Sequence, residues 1–142
     1  MNATTRTLVD GRVSAVDYRC GEALGARPFA EVHRRHSVSF VVRGSFGCRC
    51  GGVHHELVPG ALLVGRPGDE YVCTHEHRDG GDVCLAFFFD DALADEIDGR
   101  RRAWRTRGVP PLAEIAALGA IAERAACGDD DRGRDEVGLA LA

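Results

Sequence analysis

Short segments of alternating hydrophobic and polar residues, separated by Gly and Pro, extend over residues 12–89. The segment RVSAVDYRC alternates in the way expected of a half-buried strand. The segment HSVSFVVRG at 36–44 is rich in β-branched and aromatic residues, which strands favour. Turn signals recur about every 8–12 residues, a spacing typical of antiparallel sandwiches and barrels. The pattern therefore predicts a mainly β domain.

One hairpin is predicted locally, in the segment SFGCRCGGVHHELV. Gly51 and Gly52 suit a two-residue turn because both central residues of such a turn need positive φ. That turn pairs position 50 with 53 and position 48 with 55. Three candidate ligands then share one face of the hairpin: Cys48, Cys50 and His55.

The character of the chain changes after Phe89, where helical signals replace strand signals. A short helix is predicted near residues 90–98, with an Asp N-cap and with Leu93 and Ile97 on one face. A longer helix is predicted over 111–127, between a Pro near its start and a Gly after its end. Its apolar stripe contains Leu112, Ile115, Leu118 and Ala122, widened by Ile121 and Ala125. The last residues, EVGLALA, read as a further helix cut short, which suggests a fragment of a longer protein.

Composition narrows the classes of function. A chain of 142 residues suits one domain, and a net charge of −4 argues against electrostatic nucleic-acid binding. No run of 18 apolar residues predicts a membrane helix, and the N-terminus lacks the apolar core of a signal peptide. A cytoplasmic location is therefore expected. Six cysteines in that compartment should be reduced, which favours a metal or reactive-thiol role over disulfides.

The stretch SVSFVVRGSFGCRCGGVHHELVPGALLVGRPGDEYVCTHEH combines a Gly-Gly hairpin with later Pro-Gly turns. In order and spacing it resembles the N-terminal cupin-like domain of AraC-type transcriptional regulators, over roughly residues 10–127. The resemblance implies a cupin-like antiparallel β-barrel, or double-stranded β-helix, followed by one or two C-terminal α-helices. Residues 1–107 would form the effector-sensing barrel, and residues 108–142 a helical dimerisation and linker segment.

The same resemblance implies partners. The expected effector is a small molecule or a metal ion, and the expected assembly is a homodimer. DNA would be contacted only through a helix-turn-helix half that this sequence does not contain, and no membrane partner is expected.

The metal site of catalytic cupins uses a His-x-His pair, a Glu and a further His. Here His33 and His36 are three apart, so a strand would point them to opposite faces. Tyr71 occupies the position of the last His if Gly68 matches the motif glycine. The resemblance therefore implies a non-enzymatic domain, with a metal-dependent cupin enzyme as the less favoured alternative.

A second group of candidate ligands lies in CTHEHRDGGDVC, residues 73–84. If residues 72–77 are extended, Cys73, His75 and His77 share one face. A two-residue turn at 79–80 or 80–81 would set Cys84 opposite His75 or His77, whereas a three-residue turn would put Cys84 on the other face.

Thiolates combined with imidazoles select Zn²⁺ or Cu(I). The segment 73–84 therefore predicts a metal site formed by Cys73, His75, His77 and Cys84. The Gly51-Gly52 hairpin supplies a second candidate cluster, formed by Cys48, Cys50 and His55. The alternative interpretation is a hairpin with buried cysteines and solvated histidines. On the metal or thiol-reactive interpretation, the signal itself would be a zinc-type ion or a thiol-reactive species.

Overall fold

Two antiparallel sheets and two helices form the fold in the computed structural model, which describes residues 3–75, 81–127, 136, 138–140 and 142. The strands are β1 (Ala3–Val9), β2 (Val13–Cys20), β3 (Ala30–Val32), β4 (His36–Gly44), β5 (Phe46–Cys50), β6 (Val53–Leu57), β7 (Leu62–Gly65), β8 (Glu70–Thr74), β9 (Asp82–Phe89) and β10 (Gly108–Val109). The helices are α1 (Asp91–Arg101) and α2 (Ala113–Cys127), with a 3₁₀ turn at Ala103–Arg105. None of the described helices is long and apolar enough to cross a membrane.

The strands divide between a larger and a smaller sheet. The larger has the order β1-β2-β9-β4-β7-β10, and the smaller has the order β3-β8-β5-β6. Every pairing between neighbours is antiparallel. The prediction of a mainly β architecture with C-terminal helices is confirmed. Strands β1, β3 and β10 were not predicted.

The outer face of the larger sheet is covered by the helices. Phe87 and Phe89 of β9 are each 1% exposed there, in one cluster with Leu93 of α1 and Trp104. Asp90 caps α1 as predicted, accepting a hydrogen bond from the Leu93 amide at 2.7 Å. The indole of Trp104 donates to the Ala94 carbonyl at 2.9 Å, so its polar edge is satisfied inside the core.

Helix α2 packs on the same outer face. Gly119 lies so close to the Phe40 ring that a side chain there would overlap it, and Ala122 is buried. Ile115 and Leu118 also pack against this core. Much of the apolar stripe predicted on this helix therefore packs on the barrel. Leu112 and Ile121 remain exposed.

A second core lies between the two sheets. It contains Val41, Phe46, Leu57, Leu63 and two cysteines, Cys48 and Cys84, and it is flanked by Tyr18, Tyr71 and Cys73. Side chains from both sheets meet here because residues alternate between the two faces of each strand. This inner core is smaller and more polar than the outer one.

The predicted hairpin joining β8 to β9 is wrong. Strand β8 pairs with β3 and β5, whereas β9 pairs with β2 and β4 in the other sheet. Cys84 therefore faces Tyr18 and Val41 across the ladder, not His75 or His77. Local turn signals cannot separate a hairpin from a crossover between sheets, because the same residues suit both connections.

Candidate metal and ligand site between the sheets

A cavity of about 160 Å³ opens between the inner faces of the two sheets. Its walls are partly aromatic and partly polar, which is the usual character of a small-ligand site. The residues that line it include Tyr18, Cys20, Phe29, Glu31, His33, Ser39, Phe46, Tyr71, Cys73, His75, Asp82, Cys84 and Phe88.

Three metal-ligating side chains converge at one end of this cavity. The ligand atoms of Cys20, His75 and Asp82 all lie within 4.8 Å of one another. His75 Nε2 is 3.4 Å from the Cys20 sulfur and 3.6 Å from an Asp82 carboxylate oxygen. Among the residues that the structure describes, this is the one group of three or more such donors.

The group forms because both sheets contribute to it. Cys20 ends β2 and Asp82 begins β9, and the two are directly opposed in the ladder. His75 follows β8 and arrives from the smaller sheet. Gly81 has φ +82°, and a Cβ there would approach the Cys20 carbonyl oxygen to 2.7 Å. A glycine before Asp82 therefore allows the backbone to come close to the end of β2.

Burial shapes the electrostatics of the group. It raises the pKa of the Asp82 carboxyl, against the opposing effect of hydrogen bonds and charge from Cys84 and His75. Burial also raises the pKa of the Cys20 and Cys84 thiols, and the Asp82 charge adds to both shifts. The anionic forms that a metal ion needs are thus costly without a compensating positive charge.

The donor set suits one class of ion. One thiolate, one imidazole and one carboxylate match the ligands of Zn²⁺ and related transition metals, and do not match the all-oxygen shells of Mg²⁺ or Ca²⁺. The Cys84 thiol donates to Asp82 at 3.5 Å, the kind of outer contact that orients a ligating carboxylate. The residues present therefore fit a zinc-class ion.

Further polar side chains line the cavity beyond this group. His33 stacks on Tyr71 with ring centroids 4.2 Å apart, and burial lowers the pKa of His33. Tyr71 lies opposite Glu31 in the β3–β8 ladder and hydrogen-bonds to it. Burial, followed by the charge of Glu31, raises the pKa of Tyr71, while burial and the nearby Cys20 raise that of Tyr18.

The two histidines compared with the cupin motif do face opposite ways. His33 lines the cavity, whereas the ring of His36 lies 4.8 Å from that of Trp104. Tyr71, at the position expected for a ligating His, stands beside His33.

The crossover between sheets distributes the first predicted cluster over both sheets. Cys73 and His75 both line the cavity, as their shared strand face predicts, and Cys84 lines it from the other sheet. Of these, His75 belongs to the three-donor group. His77 lies outside the described residues.

The second predicted cluster has the expected register. Gly51 and Gly52 have φ +58° and +78°, and Cys48 pairs with His55 while Cys50 pairs with Val53. Cys48 also pairs with Cys73 on its other side. A hydrogen bond between these two thiols lowers the pKa of Cys48 and, together with burial, raises that of Cys73. The ring of His55 also lies close to Gly108.

Cys20 and Asp82 were missed as site residues. Cys20 lies 55 positions from His75 along the chain, so no local motif joins them. Strand alternation carried a partial signal, because Asp82 and Cys84 are two apart at the start of an apolar strand and must share a face.

Comparisons with known proteins bear on the fold. No family model matches the chain, and no curated protein matches it. Among solved structures, the cupin domain of Schizosaccharomyces pombe Cnp3 matches with TM-score 0.54 and 11% identity, over 70% of this chain and 72% of that one. An RmlC-like cupin from Shewanella frigidimarina matches with TM-score 0.50 and 22% identity, over 62% and 76%.

Apo-HppE matches with TM-score 0.53 and 14% identity, over 62% of this chain and 50% of that one. Likenesses at these identities establish architecture alone. The chain therefore has the cupin fold, a double-stranded β-helix with C-terminal helices.

Proposed function

We propose that this chain is a non-enzymatic sensor domain whose signal is a zinc-class metal ion bound by Cys20, His75 and Asp82. The observation that carries the proposal is the convergence of these three donors within 4.8 Å at one end of the interior cavity. The ion would supply the positive charge that offsets the burial of two anionic ligands.

The placement of the donors supports a sensing role. Two come from the larger sheet and one from the smaller, so an ion bound here ties the two sheets together. The larger sheet is packed on its other face by α1 and α2. A ligand that favours one arrangement of the sheets would thereby favour one placement of the helices.

Calorimetric titration of the chelator-washed chain with Zn²⁺ tests the proposal. One ion per chain is expected, and Cys20→Ser and His75→Ala should each weaken binding roughly 100-fold or more, because each removes a direct ligand. Magnesium should not compete, since it prefers oxygen shells.

Two cysteine variants act as controls. Cys127→Ser alters an exposed thiol on α2 and should leave affinity unchanged. Cys73→Ser should retain binding, whereas the cluster predicted from sequence requires Cys73. An absence of zinc binding, or binding that Cys20→Ser leaves intact, would refute the metal sensor. A circular dichroism spectrum of each variant separates lost ligands from lost folding.

A second candidate function is the effector domain of an AraC-type regulator, responding to a small organic molecule. It is favoured by the cavity, whose aromatic walls and Glu31–Tyr71 pair suit a small ligand with a hydrogen-bond donor. In this proposal the domain forms a homodimer through exposed apolar residues of the helical segment, such as Leu112 and Ile121, and reaches DNA through a separate half.

Sedimentation of Leu112→Glu beside the wild-type chain tests the dimer. A concentration-dependent dimer that this variant dissociates would support the regulator, and a wild-type chain that stays monomeric at all concentrations would contradict the dimer.

A further inference from the structure

We propose that Cys48 and Cys73 are a modification site at which small peroxides form a reversible intramolecular disulfide. Neither cysteine belongs to the Cys20, His75 and Asp82 group, although Cys73 lines the same cavity, and the proposal does not depend on a bound metal. Both sulfurs belong to the inner core between the sheets, and all six cysteines of the chain are free thiols.

The register of two strands brings the thiols together. Cys48 of β5 and Cys73 of β8 are direct partners in an antiparallel ladder. Opposed residues in such ladders have Cα atoms about 4.5 or 5.5 Å apart. A disulfide accepts Cα separations of about 4.4–6.8 Å, so the bond can form without moving the backbone. Directly opposed residues lie on the same face of the sheet, so the two side chains project to the same side.

The two thiols differ in their exposure to the cavity. Cys73 is partly exposed and lines the cavity, whereas Cys48 is 0% exposed beneath it. An oxidant arriving through the cavity therefore meets Cys73 first. The cavity admits a molecule of peroxide size, since a water occupies roughly 30 Å³ of the liquid.

The chemistry balances in two steps. The sulfur of one of the two cysteines attacks hydrogen peroxide, the O–O bond breaks, and water leaves with the thiol proton, so that this cysteine becomes a sulfenic acid. The sulfur of the other cysteine then attacks the sulfenic acid, an S–S bond forms, the S–O bond breaks, and a second water leaves with the proton of the second thiol. Both thiols are oxidised together by two electrons, and the peroxide is reduced.

The neighbouring cysteines provide a matched comparison. Cys50 lies on the same strand and the same face as Cys48, and is equally enclosed at 2% exposure. It is opposed by Tyr71 and Val53, so it has no thiol partner across the ladder. A disulfide specific to position 48 therefore reflects register, not burial.

The test uses the full chain in a Cys127→Ser background, reduced, washed with chelator and treated with dilute hydrogen peroxide. Thiols are counted after denaturation, and the linked peptides are identified by mass spectrometry. Two thiols per chain should be lost, with a single link between Cys48 and Cys73 that dithiothreitol reverses. The link closes a loop of roughly 25 residues and should raise the thermal midpoint by about 10 °C.

Cys50→Ser should form the same link, and Cys48→Ser should form none. A link between another pair, such as Cys20 and Cys84, would overturn the proposal. Accumulation of sulfinic acid at Cys73 without any link would also overturn it. Both outcomes are read in the chain with native Cys48 and Cys73, so they do not rely on the folding of a variant. Zinc titration is a separate measurement, so failure here leaves the metal proposal untouched.

Discussion

The two faces of β9 alternate residue by residue, yet they belong to different kinds of core. Leu85, Phe87 and Phe89 point to the helices and lie in a closed apolar cluster. Asp82, Cys84 and Phe88 point between the sheets and line the cavity. The outer face is built for stability, and the inner face accepts polar and titratable groups whose burial is costly. Substitutions at adjacent residues of β9 can therefore separate side chains that stabilise the fold from side chains that line the cavity.

Truncating adjacent aromatic residues of β9 should give the largest contrast. Phe87→Ala should lower the free energy of unfolding by about 3–5 kcal/mol, because it leaves a cavity in a closed core. Phe88→Ala removes a half-buried ring that already borders open space, and should cost about 1 kcal/mol. Urea unfolding measures both. Equal losses would show that the two faces are packed alike.

Replacing one glycine in each helix by alanine tests how tightly α2 packs on the outer face of the larger sheet. Gly119→Ala would place a methyl group inside the Phe40 ring, so it should destabilise the fold by about 1–3 kcal/mol as the helix shifts. Gly99→Ala, in α1, meets nothing within 4 Å and should stabilise the fold by up to ~1 kcal/mol through helix propensity. Thermal unfolding compares them, and a neutral Gly119→Ala would show that α2 packs loosely.

Removing the buried carboxylate should affect the inner face in the opposite sense. In chelator, Asp82→Asn should raise the urea midpoint slightly, because burial disfavours the ionised form that the substitution eliminates. With zinc added, the wild-type chain should gain stability by mass action and the variant should gain much less. A lower urea midpoint for Asp82→Asn than for the wild-type chain in chelator would show that Asp82 stabilises the fold without an ion.

The smallest effect concerns pH and His33. Burial lowers the pKa of His33, with a further lowering by Arg107 and an opposing effect of Asp69. The imidazole of His33 therefore binds a proton more readily in the unfolded chain than in the folded one. The contribution of His33 to the free energy of unfolding is fully present above its unfolded pKa of about 6.5. That contribution is lost as the pH falls through the folded pKa. Urea midpoints between about pH 7 and pH 5 should decline more steeply in the wild-type chain than in His33→Gln. Parallel declines would contradict this.

Patterns carried by neighbouring residues predicted much of the fold. Gly51-Gly52 predicted both the β5–β6 hairpin and its register, because positive φ at two adjacent residues selects one turn geometry. Asp90 predicted the start of α1 through its capping oxygen. These features depend on interactions over a few residues.

The candidate site was predicted only in part. His75 was identified from strand alternation in CTHEHRDGGDVC, and it belongs to the three-donor group. The hairpin from which its partners were inferred was wrong, because the chain passes from one sheet to the other after β8, and the metal set of Cys73, His75, His77 and Cys84 stays a prediction. That passage depends on which distant strands bury the most apolar surface, and no turn residue encodes it.

The sequence by itself therefore determined a mainly β chain, the face of each strand on which a side chain lies, and the caps and turns of local elements. These follow from backbone geometry, which repeats every two residues in a strand. The tertiary structure alone decided that β2 and β9 are neighbours and that β8 faces them from a second sheet. Cys20, His75 and Asp82 meet for that reason, because contacts between distant strands are selected by the packing of the whole domain.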